Sequence, residues 1–129
     1  MEENAWAWVF QYLGRLHPLA VHFPIGLLVV ALFLEVLTLR GKKDGLREGI
    51  SWMVYIGASA AVISTCLGWL LQTFDGYAGE LVESHQIFGI VTAVLAATAA
   101  IFLWSKENGK TTSLLPYRFA LTFSVIALT

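Results

Sequence analysis

Leu19-Ala20-Val21-His22-Phe23-Pro24-Ile25-Gly26-Leu27-Leu28-Val29-Val30-Ala31-Leu32-Phe33-Leu34-Glu35-Val36-Leu37-Thr38-Leu39 decides the fold of this chain. Glu35 is its one formal charge, and a helix of ~20 such residues crosses ~30 Å of hydrocarbon. Working outward, the pattern recurs over residues 50–74 and 86–104, and begins again over 117–129. Across all 129 residues, 57% are hydrophobic and 13% are charged, where soluble domains carry about 25% charged residues. The expected fold is an all-α membrane protein, one transmembrane domain over 1–129 with a bundle of at least four helices. The last span is short as given, so the polypeptide is expected to continue beyond Thr129.

Composition excludes several classes. A net charge of -1 gives no basic surface for nucleic acid. Cys66 is the only cysteine, so the chain has neither a disulfide nor a zinc framework of its own. Met1-Glu2-Glu3 is acidic where a signal peptide begins basic, and no cleavable signal is expected. Before the first span, Trp6, Val9, Phe10, Leu13 and Leu16 recur at helical spacing. They predict a short amphipathic helix over residues 1–16, lying in the membrane interface.

Lysines and arginines set the expected orientation. Arg40, Lys42, Lys43, Arg47, Lys106, Lys110 and Arg118, seven of the eight basic residues, fall on one side of the spans. The loop over 75–84 has none and carries Asp75, Glu80 and Glu83 instead. The basic side is therefore cytoplasmic. The N-terminus and the 75–84 loop are periplasmic, and the lipid bilayer is the first partner. Trp6, Trp8, Trp52, Trp69 and Trp104 lie toward span ends, as an aromatic belt does.

This topology places all three histidines at the outer end: His17 and His22 on span one, His85 on span three. His22 is followed at i+4 by Gly26, and His85 by Gly89, so each imidazole has a bare residue on its own face one turn deeper. In span three the small stripe continues through Ala93, Ala96, Ala97 and Ala100. A b-type haem held between two helices needs imidazoles and adjoining space of this kind. His22 and His85 are the expected iron ligands. On one straight helix His17 and His22 differ by ~140°, which leaves His17 as an alternate ligand or second donor. Small residues at four-residue spacing also pack membrane helices without any cofactor. A non-catalytic anchor or assembly subunit, binding other membrane helices, is thus the rival reading; a proton or quinone role for the histidines is a third. Glu35 is expected to reach the interface or to pair with Arg40 or Arg118. Ser64, Thr65 and Cys66 stand mid-membrane with no base nearby, and no nucleophile–base pair is evident, so no catalytic residue is assigned.

Leu16-His17-Pro18-Leu19-Ala20-Val21-His22-Phe23-Pro24-Ile25-Gly26 resembles the His-Pro-x-x-Val-His-Phe-Pro opening of a bacterial membrane-domain family of unknown function. Gly68-Trp69-Leu70-Leu71, Gly76-Tyr77 and His85-x-x-x-Gly89 fit the same pattern. The resemblance implies a bacterial inner-membrane domain in an electron-transfer setting, often followed by a periplasmic cytochrome c or other redox domain. It also implies b-haem at His17, His22 and His85. On that expectation the chain is a redox subunit without catalytic activity of its own, passing electrons between quinol and a periplasmic carrier.

Overall fold

The computed structural model of the chain describes residues 6–41 and 45–129. Residues 1–5 of the expected interfacial helix, and Lys42 and Lys43 of the charge bias, lie outside the described residues. Among the described residues six helices follow in order: α1 (Ala7–Arg15), α2 (His17–Ala20), α3 (His22–Leu39), α4 (Leu46–Asp75), α5 (Glu80–Glu107) and α6 (Leu115–Leu128). Three runs are long and apolar enough to cross a membrane, Ala7–Leu39, Leu46–Asp75 and Glu80–Glu107, while α6 is a shorter apolar helix. The helices extend past the expected spans at most ends, because polar residues flanking an apolar run carry the helix on into the headgroup zone.

Helices α3, α4, α5 and α6 form a square up-down-up-down bundle. Each packs along its two neighbours, α6 closing the ring against α3. The buried residues follow alternating three- and four-residue steps, the seam of antiparallel bundles. On α4 the seam is Ile50, Val54, Gly57, Ala61 and Ser64; on α5 it is Thr92, Ala96, Ala99 and Leu103; on α6, Tyr117, Leu121 and Ser124. Much of the core is alanine, so the backbones approach closely, which is how helices gain attraction in lipid. Ala93 and Ala96, of the small stripe expected to admit either a cofactor or another helix, are buried in this helix packing. Outward, Phe23, Phe33, Ile63, Val94, Ile101 and Phe119 are all more than half exposed. An apolar exterior of this extent suits acyl chains and not water.

The first span is bent. Pro18 and Pro24 lack the N–H groups that would reach Gly14 and Ala20, so the hydrogen-bond ladder is interrupted twice. Leu16 and Val21, at the two breaks, nevertheless keep right-handed helical angles (φ -78°, ψ -9° and φ -63°, ψ -23°). Helix α1 therefore continues roughly along α3 and runs antiparallel beside the last turns of α4. Phe10 stacks on Phe74 with ring centroids 5.7 Å apart. Asp75 accepts hydrogen bonds from Gln11 Nε2 (2.6 Å) and Arg15 Nε (3.0 Å). Gly14 makes the docking possible: a Cβ there would come within 2.7 Å of Leu71 N and 2.8 Å of its Cα.

Candidate functional site

The contact of α1 with α4 continues into α2 and sets where His17 points. Along the first span, Gly14, His17, Val21, Pro24, Leu28, Ala31 and Glu35 alternate steps of three and four. Pro24, Leu28, Ala31 and Glu35 of this series are buried in α3. His17 lies on that seam and faces α4. Its ring passes over Gly68, where a Cβ would meet His17 Cε1 at 2.9 Å. His17 Nδ1 stands 2.8 Å from the carbonyl oxygen of Ser64. A carbonyl can only accept, so Nδ1 carries the hydrogen and Nε2 keeps the lone pair.

His85 arrives from the other side. Gly76 (φ 72°) and Gly79 (φ 123°) adopt left-handed angles that L side chains rarely tolerate, and they turn the chain from α4 into α5 within a few residues. His85 then stands in the second turn of α5, on the upward extension of the seam through Gly89, Thr92 and Ala96. The His17 and His85 ring centroids are 5.9 Å apart, with planes at 79°.

His22 is not part of this pair. It is exposed on the outside of α3, and its expected companion Gly26 has nothing within 4 Å of a Cβ position. The expectation that His22 faces His85 is corrected to His17 facing His85. The physical reason is the α1–α4 contact, which selects the azimuth of the whole span. A separation of ~140° between His17 and His22 lets one of them face inward without deciding which. Gly89 does border the site, again with open space at its Cβ position, and its carbonyl accepts from Thr65 Oγ1 at 3.3 Å.

Both histidines line a cavity of about 800 Å³ at this end of the bundle. Pro18, Val21, Pro24 and Ile25 form one wall, and Gln72 and Tyr77 stand at its polar rim. Ser64 also borders it; its hydroxyl is buried and has no hydrogen-bond partner among the described residues. Such an orphan is costly in an apolar interior.

Which group could these donors hold? Among the described residues no three His, Cys, Asp or Glu side chains converge. A metal ion ligated by protein alone normally takes three or four such donors. A haem brings four nitrogens and asks the protein for one or two axial ligands. With a metal–nitrogen distance of about 2.0–2.1 Å, two imidazoles facing across one ion have centroids roughly 6 Å apart. The observed 5.9 Å is of that order, and with planes at 79° it is equally the spacing of an edge-to-face ring contact. Two imidazoles are too few for a bare ion held by protein alone and as many as a haem would take.

At the opposite end, Glu35 is buried and takes Arg47 of α4, and Arg118 and Tyr117 of α6. Pairing with Arg118 was expected; Arg47 takes the place foreseen for Arg40. His17 and Glu35, eighteen residues apart on one bent span, are separated by about 27 Å, close to the thickness of the hydrocarbon core. Gly14 was not singled out from the sequence, and Ser64, Gly68 and Arg47 were noted there without being linked to His17 or Glu35. The three–four spacing from Gly14 to Glu35 was the signal that could have found the inward face.

A family profile described as "Predicted membrane protein (DUF2231)" matches residues 15–129. Comparison with curated proteins and comparison with solved structures each gave no significant match.

Proposed function

This chain belongs to the DUF2231 family of predicted membrane proteins, and from that premise we propose that it is a membrane electron-transfer module binding b-type haem between His17 and His85. The observation that carries the proposal is the pair itself: two imidazoles lining one cavity with ring centroids 5.9 Å apart, one with its Nδ1 hydrogen directed at the Ser64 carbonyl. When bound, haem supplies a one-electron carrier whose potential follows its axial ligands and surroundings.

The chain's own residues do the rest. The Ser64 carbonyl orients the His17 ring and makes its Nε2 a stronger donor. Gly68 gives that ring room, and Gly89 leaves space beneath His85. Pro18, Val21, Pro24 and Ile25 keep water from the cavity's apolar side, while Gln72 and Tyr77 offer hydrogen bonds at the rim. The charge bias puts the histidine end on the periplasmic face of a bacterial inner membrane. There the site lies within reach of quinol in the bilayer and of a periplasmic carrier. At that level α1 lies beside the headgroup boundary.

The test is a reduced-minus-oxidised optical spectrum of the purified protein. A b-type band is expected in the wild type and in His22→Ala, and its loss in His17→Ala and in His85→Ala. A colourless protein that is well folded overturns the proposal.

A further inference from the structure

The end of the bundle away from the histidines holds more positive charge than its buried carboxylate uses. Glu35 is 2% exposed, and both of its oxygens are fully engaged. Oε1 accepts from Arg118 Nε at 2.7 Å and Arg47 Nη2 at 3.1 Å; Oε2 accepts from the Tyr117 hydroxyl at 3.1 Å and lies 2.9 Å from Arg47 Nη1. Three hydrogen bonds and one close ionic contact thus occupy a carboxylate that offers about four lone-pair sites. Two guanidiniums against one carboxylate leave a net positive charge.

Among the described residues nothing else neutralises it. Neither arginine makes another ion pair. Glu107 of α5 takes the hydroxyls of Ser51 and Tyr55 instead. Arg118 gives only Nε to Glu35, so its two terminal nitrogens make no hydrogen bond there. Arg47 Nη1 is buried and lies off the direction of a good hydrogen bond to Oε2. Both side chains are about one-third exposed, 31% for Arg47 and 29% for Arg118, so an anion can reach them. The described lysines of this end are engaged elsewhere: Lys106 donates to the Thr112 carbonyl, and Lys110 lies over the Trp104 ring.

We infer that Arg118, its two terminal nitrogens free and its charge joined by that of Arg47 beside it, holds the phosphate of an anionic phospholipid at this end of the bundle. Guanidinium forks match phosphate oxygens in pairs, and basic pockets between transmembrane helices are known to take such headgroups. Depth selects lipid over free phosphate. Glu35 lies one turn, about 6 Å, before the end of α3, at the boundary where lipid phosphates sit. The outward neighbours Phe33, Leu39, Leu115 and Phe119 are exposed and apolar, a surface for acyl chains beside the charge.

The experiment is native mass spectrometry with thermal unfolding on the detergent-purified chain. Phosphatidylglycerol, phosphatidylcholine and inorganic phosphate are titrated separately. One phosphatidylglycerol is expected to be retained at least about fivefold better than phosphatidylcholine. The preference should fall severalfold in Arg118→Gln and in Arg118→Lys, and persist in Arg15→Gln at the other end. Arg118→Lys guards against misfolding, since a lysine still pairs with Glu35 but has no fork. Equal retention of the two lipids, or a preference unchanged in both Arg118 variants, overturns the inference. So does inorganic phosphate stabilising the protein as well as phosphatidylglycerol with no lipid adduct retained.

Discussion

His17 Nδ1 donates to the Ser64 carbonyl oxygen at 2.8 Å, tying the short helix α2 to the middle of α4 and leaving Nε2 with its lone pair. Fold and candidate chemistry meet in this bond, and they can be separated. Asparagine at position 17 keeps an N–H near the place of Nδ1 but has nothing equivalent to Nε2. His17→Asn is expected to stay within ~1 kcal/mol of wild-type stability and to lose any b-type band. Unfolding in a detergent titration and an optical spectrum on the same sample check the two halves.

Gly68 gives the His17 ring its place. In Gly68→Ala the new methyl would sit 2.9 Å from Cε1 and 3.1 Å from Nδ1, so the ring must leave its seat over α4. A cost of about 1–3 kcal/mol is expected, together with loss of the Ser64 bond. Gly89→Ala and Gly26→Ala meet nothing within 4 Å and serve as controls of little effect. Should Gly68→Ala prove as stable as Gly26→Ala, the packed position of His17 is wrong.

Gly14 is less forgiving, because its neighbour is backbone. A Cβ at 2.7 Å from Leu71 N cannot be relieved by turning a side chain. Gly14→Ala is expected to lift α1 from α4 and break the Asp75 contacts with Gln11 and Arg15. Amide hydrogen exchange should rise over residues 7–15 while α5 stays protected. Unchanged exchange in α1 would rule out the close approach.

Glu35 joins three helices. Glu35→Ala leaves Arg47 and Arg118 facing one another without a counter-charge. Breaking a buried ion pair costs about 3–5 kcal/mol; with both arginines about one-third exposed, roughly 2–3 kcal/mol is expected. Tyr117→Phe removes one donor from the same carboxylate and should cost about 1–2 kcal/mol. A Glu35→Gln, Arg118→Gln double-mutant cycle, read by unfolding, should give strong coupling. Additive effects would mean that the pair contributes no interaction of its own.

The membrane-spanning class was legible in the chain alone, and so was the gathering of most positive charge at one end of it. Both rest on transfer free energies that add residue by residue along a run, with no knowledge of neighbours. The small residues of α5 were legible too, but the sequence left two roles open for them; Ala93 and Ala96 fill the bundle core. What only the tertiary structure decided was azimuth. A soluble helix advertises its inner face by being apolar on one side; a helix in lipid is apolar all round, so hydropathy could not choose between His17 and His22. That choice was made by backbone approach, Gly14 on Leu71 and the His17 ring on Gly68. The same contact rotated Glu35 into the core, where it met Arg47 of a helix that its position in the sequence did not reveal.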